Sequence, residues 1–165
     1  NDYHVEPLYI EGLAANIKAH RTAHPGGEHL LMSFHGIPAR YTDEGDPYRR
    51  KCEATAAALA QRLDLQPDDW SLSFQSRVGL DRWLAPYTGD ALMAIAARGI
   101  RRIDVVCPGF AVDCLETTDE IGHEYAELFQ AQGGGKLHYI PALNAGEEQL
   151  ALLTELVTRR AWQFS

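Results

Sequence analysis

Two groups of residues in this chain are of types suited to chemistry. One is a histidine delivered at the end of an apolar run, in His29-Leu30-Leu31-Met32-Ser33-Phe34-His35-Gly36-Ile37-Pro38. The other is an acidic series, Glu116, Asp119, Glu120, Glu124 and Glu127, in a stretch with no lysine or arginine between Arg102 and Lys136. A neutral imidazole is a base near pH 7 and a ligand for borderline divalent metals, and carboxylates complement either task. Like charges at i,i+4 destabilise a helix by about 0.2–0.5 kcal/mol per pair, and Glu116, Glu120 and Glu124 are spaced to repel in this way. The helix macrodipole compensates acids only in the first turn, which covers Glu116 and Asp119 but not Glu124 or Glu127. The segment has two readings: a solvated acidic face, or a carboxylate ladder that meets a cation. His35 likewise reads either as a turn histidine bonding backbone or as a site residue, since open α/β sheets bind ligands beyond the carboxyl ends of their strands.

The elements that must position these residues alternate between helix and strand. Apolar positions Leu8, Ile10, Leu13, Ala14 and Ile17 fit a helix from Pro7 to about His20, ended by Pro25-Gly26-Gly27. His20 and His24 lie at i,i+4 near its end; with no third ligand or shielding pocket in view, they read as surface histidines. His29 to Phe34 reads as a buried strand. Asp46 caps a helix that starts at Pro47 and runs through Tyr48 to Leu65, with Cys52 packed inside it. Trp70 to Phe74 alternates as a strand, followed by Gln75-Ser76-Arg77-Val78-Gly79 and an aromatic loop with Trp83, Pro86 and Tyr87. That loop either walls a planar ligand or is pinned to the core by Trp83. A helix from Asp90 to Arg98 leads to a third strand, Ile103 to Cys107.

After the Pro108-Gly109 break, an amphipathic period runs from Leu115 to Phe129. At about 100° per residue, Leu115, Thr118, Gly122, Tyr125, Leu128 and Phe129 fall on the core side, opposite the acids and His123. Gly133-Gly134-Gly135 ends this helix, Leu137 to Ile140 is a fourth strand, and Glu147 to Arg160 closes the chain with Leu150, Leu153 and Val157 on one face. The expected fold is α/β, a three-layer α/β/α sandwich with a parallel sheet of about four strands, Rossmann-like with flavodoxin-like topology. His35, then Gln75 to Arg77, then Asp113 and Glu116 would share one edge of it.

Composition narrows the function classes. Of 165 residues, 45% are hydrophobic, enough for one domain with a full core. The formal charge of −8 opposes binding to nucleic acid phosphates, so no nucleic acid partner is expected. Cys52, Cys107 and Cys114 are too few for a disulfide framework and one short of the usual four thiolates of an iron–sulfur cluster, so none is expected. No run approaches a membrane span and the first residues lack a basic, apolar leader, so the chain is expected to be cytoplasmic.

Five motifs, in order, carry a resemblance: Ser33-Phe34-His35-Gly36-Ile37-Pro38, Gly45-Asp46-Pro47-Tyr48, Phe74-Gln75-Ser76-Arg77-Val78-Gly79, Trp83-Leu84-Ala85-Pro86-Tyr87-Thr88 and Pro108-Gly109-Phe110-Ala111-Val112-Asp113-Cys114-Leu115-Glu116-Thr117. Together they resemble ferrochelatase, the terminal enzyme of haem synthesis, from about Tyr9 to Trp162. The resemblance implies a lyase reaction in which Fe2+ is inserted into protoporphyrin IX with release of two protons; Fe2+ is the substrate and no cofactor is required. It implies His35 and Glu116 as catalytic residues, with His35, Glu116, Glu120 and Glu124 as the metal set, the last two forming an acidic path. Gln75, Ser76, Arg77, Trp83 and Phe110 are implied on the porphyrin side, Arg77 meeting a propionate. Asp119, His123 and Glu127 are left as surface.

The family folds as two similar α/β domains around the porphyrin. Residues 1–165 are therefore expected to be a single domain, the carboxyl-terminal half, with the amino-terminal domain as missing partner. Little activity is expected of such a fragment alone, and delivery of a hydrophobic porphyrin leaves room for peripheral membrane contact. Rival readings are a cobalt or nickel chelatase of the same superfamily, a non-catalytic flavodoxin-like binding module, and a hydrolase. The last two lack, respectively, a phosphate-cradling loop after the first strand and a Gly-x-Ser-x-Gly elbow.

Overall fold

The computed structural model describes residues 2–161; Trp162, at the end of the expected resemblance, lies outside them. Four strands, β1 (His29–His35), β2 (Trp70–Gln75), β3 (Arg102–Val106) and β4 (Lys136–Ile140), form one sheet in the order β2-β1-β3-β4. All three pairings are parallel, with Phe34 opposite Phe74, Met32 opposite Val106 and Asp104 opposite His138. This is the 2-1-3-4 order of flavodoxin-like sheets, in which the chain changes direction of growth at β1 and opens a crevice between β1 and β3.

Parallel strands covered on both faces must be apolar on both, and β1 is buried from His29 to Phe34. Alternation along the strands divides the core. Leu30, Met32, Phe34, Val106 and Ile140 pack under α1 (Pro7–Ala23), α3 (Tyr48–Arg62) and α7 (Glu147–Ala161). Leu31, Ile103, Val105 and Cys107 pack under α4 (Thr88–Ala97) and the acidic segment. Three layers result, as the alternation of elements requires.

Helix α3 begins at Tyr48 with Pro47 at its N-cap, one residue later than expected, and Asp46 accepts the Tyr48 N–H at Oδ1, at 2.7 Å, from just before the cap. A five-residue helix, α2 (Ala39–Asp43), is not expected from periodicity, which needs longer windows. In the Pro25-Gly26-Gly27 connection, a side chain on Gly27 would collide with the Asp104 carboxylate, which is why the breaker is glycine there. On α7 the expected face is corrected. Leu152 is fully buried and Gln149 nearly so, with Leu156 against the core, whereas Leu150, Leu153 and Val157 are exposed. Both stripes have helical spacing, and spacing alone does not choose between neighbouring stripes.

The acidic segment departs from a straight helix. It consists of α5 (Leu115–Thr118), a π turn over Glu120–Glu124 and α6 (Tyr125–Ala131). In the π turn the Glu124 N–H reaches back five residues to the Asp119 carbonyl, at 3.0 Å. One extra residue rotates the helix beyond the turn by about 100° relative to the helix before it. Before the rotation is complete, Thr117 and Ile121 point inward; beyond it, Phe129 does. The core side expected at Leu115 and Thr118 is therefore corrected: Leu115 is 76% exposed and Thr118 also faces solvent. The rotation keeps Glu116, Asp119, Glu120 and Glu124 together beside one cleft.

The two helix phases make opposite predictions. Ile121→Ala should cost about 2–5 kcal/mol in urea unfolding, and Leu115→Ala less than about 0.5 kcal/mol. The reverse order would contradict the π turn.

Candidate active site

Beyond the carboxyl ends of β1, β2 and β3 lies an open cleft of about 430 Å³, lined by His35, Ser76, Arg77, Val78, Leu115, Glu116, Asp119, Glu120 and Glu124. His35 is the last residue of β1. Its Nδ1 lies 2.6 Å from the Gly36 carbonyl oxygen, which can only accept, so Nδ1 carries the proton and Nε2 is left as a lone-pair donor. Among the described residues no hydrogen bond engages Nε2. The two readings of this histidine thus combine: one ring nitrogen bonds backbone, the other is free. The Tyr48 hydroxyl donates to the His35 carbonyl at 2.8 Å, and the rings of Phe110 and Trp83 flank the imidazole with centroids 6.2 and 6.4 Å away. Tyr48 is not a candidate on sequence grounds, although it ends the Gly45-Asp46-Pro47-Tyr48 motif.

Glu116 sits in the first turn of α5. Its carboxyl is held below the usual carboxylate range, first by the Cys114 thiol that donates to it and then by its own backbone N–H. The backbone carbonyl of Glu116 accepts from the Gln75 side-chain amide. Gln75 is buried and its Oε1 accepts from Ser33 Oγ at 2.6 Å and Cys107 Sγ at 3.3 Å. Expected on the porphyrin side, Gln75 instead lies beneath the cleft floor and braces Glu116. Ser76, with a left-handed φ of 62°, turns back to Glu120: its N–H donates to Oε1 at 2.7 Å and its hydroxyl to Oε2 at 2.5 Å. Burial and the neighbouring Glu120 push the Tyr125 phenol up to about 12.

Glu120 is therefore held, while Glu124 and Asp119 are exposed on the cleft wall. Asp119, left as surface by the sequence, lines the cleft beside Glu116 and Glu120. His123 and Glu127 line a separate groove against β4. Arg77 is exposed with its guanidinium 4.5 Å from the Tyr87 ring centroid, and Trp83 is half-buried.

The loop between β3 and α5 is fixed by Asp113. Its Oδ1 accepts from the Tyr139 hydroxyl at 2.5 Å, Ala142 N at 3.0 Å and Thr117 Oγ1 at 3.3 Å, and its Oδ2 from Asn144 Nδ2 at 2.8 Å. Burial alone would raise this carboxyl, but the bonds from Asn144, Tyr139, Ala142 and Thr117 outweigh it and lower it. Asn144 and Tyr139 escape sequence reasoning; the only signal is the Asn144-Ala145-Gly146 turn. Two rival chemistries find no support in the geometry. Cys107 is buried and its thiol is pushed well up, first by burial and then by Glu120 and Asp113, which removes the thiolate a hydrolase would need. At Gly36, a side chain would meet the Gln75 carbonyl and Trp83, so the loop is packed down and not an open phosphate cradle.

A parallel 2-1-3-4 sheet with helices on both faces and this imidazole and carboxylate set at its switch point defines a chelatase-like α/β/α domain. The ferrochelatase family model matches residues 1–161. The chain is 50% identical to a ferrochelatase of Aeromonas hydrophila over 158 residues, 96% of this chain and 49% of that protein. It is 48% identical to one of Thioalkalivibrio sulfidiphilus, covering 96% and 43%, and 47% identical to one of Aromatoleum aromaticum, covering 96% and 44%. The chain belongs to the ferrochelatase family, and it spans about half the length of the curated relatives it matches.

The Asp113 latch has a pH signature. A carboxyl whose folded pKa is depressed contributes stability above its ordinary value of 3.8, and loses it as pH falls through the lower folded value. Asp113→Asn should therefore be less stable than the parent by about 1–3 kcal/mol at pH 6 in urea unfolding, with the gap narrowing below pH ~4. A gap independent of pH would contradict the latch.

Proposed function

We propose that this chain is the carboxyl-terminal half of a two-domain ferrochelatase and supplies the metal and proton-accepting side of an Fe2+ insertion site for protoporphyrin IX. The observation that carries the reading is the free Nε2 of His35 in one cleft with Glu116, Glu120 and Glu124. Metallation must remove two pyrrole N–H protons; an imidazole whose Nδ1–H is already committed can accept one at Nε2, and the other leaves to water in the open cleft. Glu116, held as a carboxylate, balances the imidazolium that forms and offers oxygen to the incoming ion. Exposed Glu124 and Asp119 draw the cation along the wall toward Glu120. One nitrogen and several oxygens suit Fe2+, and they suit Co2+ and Zn2+ as well.

The walls suit an apolar planar substrate. Val78 and Leu115 are 71% and 76% exposed at the cleft, Leu80 and Val112 project from the flanking loops, and Phe110 and Trp83 stand beside His35. Arg77 is placed for a propionate. The cleft is open on one side, so a second wall is needed to hold a bent macrocycle. The open stripe Leu150, Leu153 and Val157 on α7 also favours a larger assembly. The chain alone should insert iron weakly or not at all. No described helix is long and apolar enough to cross a membrane.

In the full two-domain protein, His35→Ala should lower the rate of Fe2+ insertion by about 10²–10⁴ with unchanged thermal unfolding. Retained activity would contradict the proton-acceptor role.

A further inference from the structure

At the other end of the strands from the cleft, a second group of ionisable side chains converges. Asp104, in the middle of β3, is fully buried, and its register partner on β4 is His138. The last turn of α1 lays His20 and Arg21 over this pair. Arg21 Nε donates to Asp104 Oδ2 at 2.7 Å, which fixes the carboxylate and leaves Oδ1 turned toward the two imidazoles. One ligand atom from each of His20, Asp104 and His138 lies within 4.8 Å of the others.

The hydrogen bonding of this group is incomplete. His20 Nε2, Asp104 Oδ1 and both ring nitrogens of His138 are buried without a hydrogen-bond partner. Each such orphan has given up its hydration with nothing in return, and native structures rarely gather several at one point unless something binds them. Burial lowers the pKa of His138 and His20, with Lys136 adding to the effect on the first and His24 on the second, while the Asp104 charge opposes it on both. His138 Nδ1 stands 3.5 Å from Asp104 Oδ1. That is long for a hydrogen bond and close to the ~3.3 Å between two ligands on a tetrahedral ion with bonds of about 2.0–2.1 Å.

We propose that His20, Asp104 and His138 form a metal site for a borderline divalent ion such as Zn2+, separate from the cleft and tying the end of α1 to β3 and β4. Two imidazoles and a carboxylate are a common set for such ions. Arg21 plays the outer part, holding the carboxylate oxygen that the ion does not take. His20 is partly exposed at a helix end and has the freedom to close the remaining distance. The fourth position falls to water or to His24, whose ring stacks on that of His20 with centroids 4.5 Å apart and stands 5.4 Å from that of His138. The i,i+4 pair His20 and His24 thus gains the third ligand and the shielding that its sequence does not display.

The test is calorimetric titration of Zn2+ into the chain carrying His35→Ala and Glu116→Gln, which removes the imidazole and the first carboxylate of the cleft and leaves Asp119, Glu120 and Glu124 there. One equivalent should bind and raise the thermal unfolding midpoint. His20→Gln and His138→Gln, each added to that background and checked for native circular dichroism, should each weaken binding by at least tenfold and abolish the thermal shift. Co2+ in place of Zn2+ should give visible d–d absorption that either substitution removes. No binding in the starting background, or affinity unchanged by both substitutions, would overturn the site. Loss of Zn2+ binding with the cleft substitutions alone would place the only metal in the cleft, which overturns this site and leaves the iron-insertion reading standing.

Discussion

The cleft depends on a single buried amide. Gln75 ends β2, accepts from Ser33 on β1 and from Cys107 just beyond β3, and donates to the backbone of Glu116 at the start of α5. Ser33 and Ser73 also share Thr88 at the start of α4, each at 2.9 Å. Three strand ends and two helix starts are thereby locked into one hydrogen-bonded floor. A buried polar network of this kind rewards full satisfaction and penalises any missing member, so it specifies one arrangement of the loops above it. His35, Ser76 and Glu116 are neighbours because their backbones are tied to that floor.

The second constraint is the π turn. A straight helix with the same sequence would bury Leu115 and Thr118 and turn Thr117 outward. Inserting one residue after Thr118 allows Thr117 and Ile121 to fill the core beneath the cleft while Phe129 fills it further on. The acids repel one another along this wall, and Glu120 gains two donors from Ser76. The unfavourable carboxylate spacing is consistent with a wall that meets a cation, and a solvated acidic face would have no need of the Ser76 clasp.

Much of the fold was legible because its signals are local. β1 is a largely apolar run followed by Gly-Ile-Pro, α3 opens just after Asp46-Pro47, and Gly133-Gly134-Gly135 stops α6, so the alternation of helix and strand and the parallel sheet could be read directly. Helix phase was not legible. On the acidic segment one inserted residue changed the buried face, and on α7 two adjacent stripes of helical spacing competed. At the cleft, the motifs name loops that meet at one sheet edge but not the direction of each side chain: Gln75 faces down, Ser76 faces Glu120, and Asp119 faces the cleft. Asp113 with Asn144, and His20 with Asp104 and His138, unite residues from distant segments, and no spacing within one segment reports such partnerships.

On the function proposed for the cleft, the metal arrives at its His35 and Glu116 edge. Crystals of the chain soaked in Co2+ and measured by anomalous diffraction at the cobalt edge would locate the ion. An anomalous peak is expected within about 2.0–2.3 Å of His35 Nε2 and a Glu116 carboxylate oxygen, and it should be lost in Glu116→Gln. Cobalt that is absent from the cleft while ordered elsewhere on the chain would rule that edge out as the place where the metal is held.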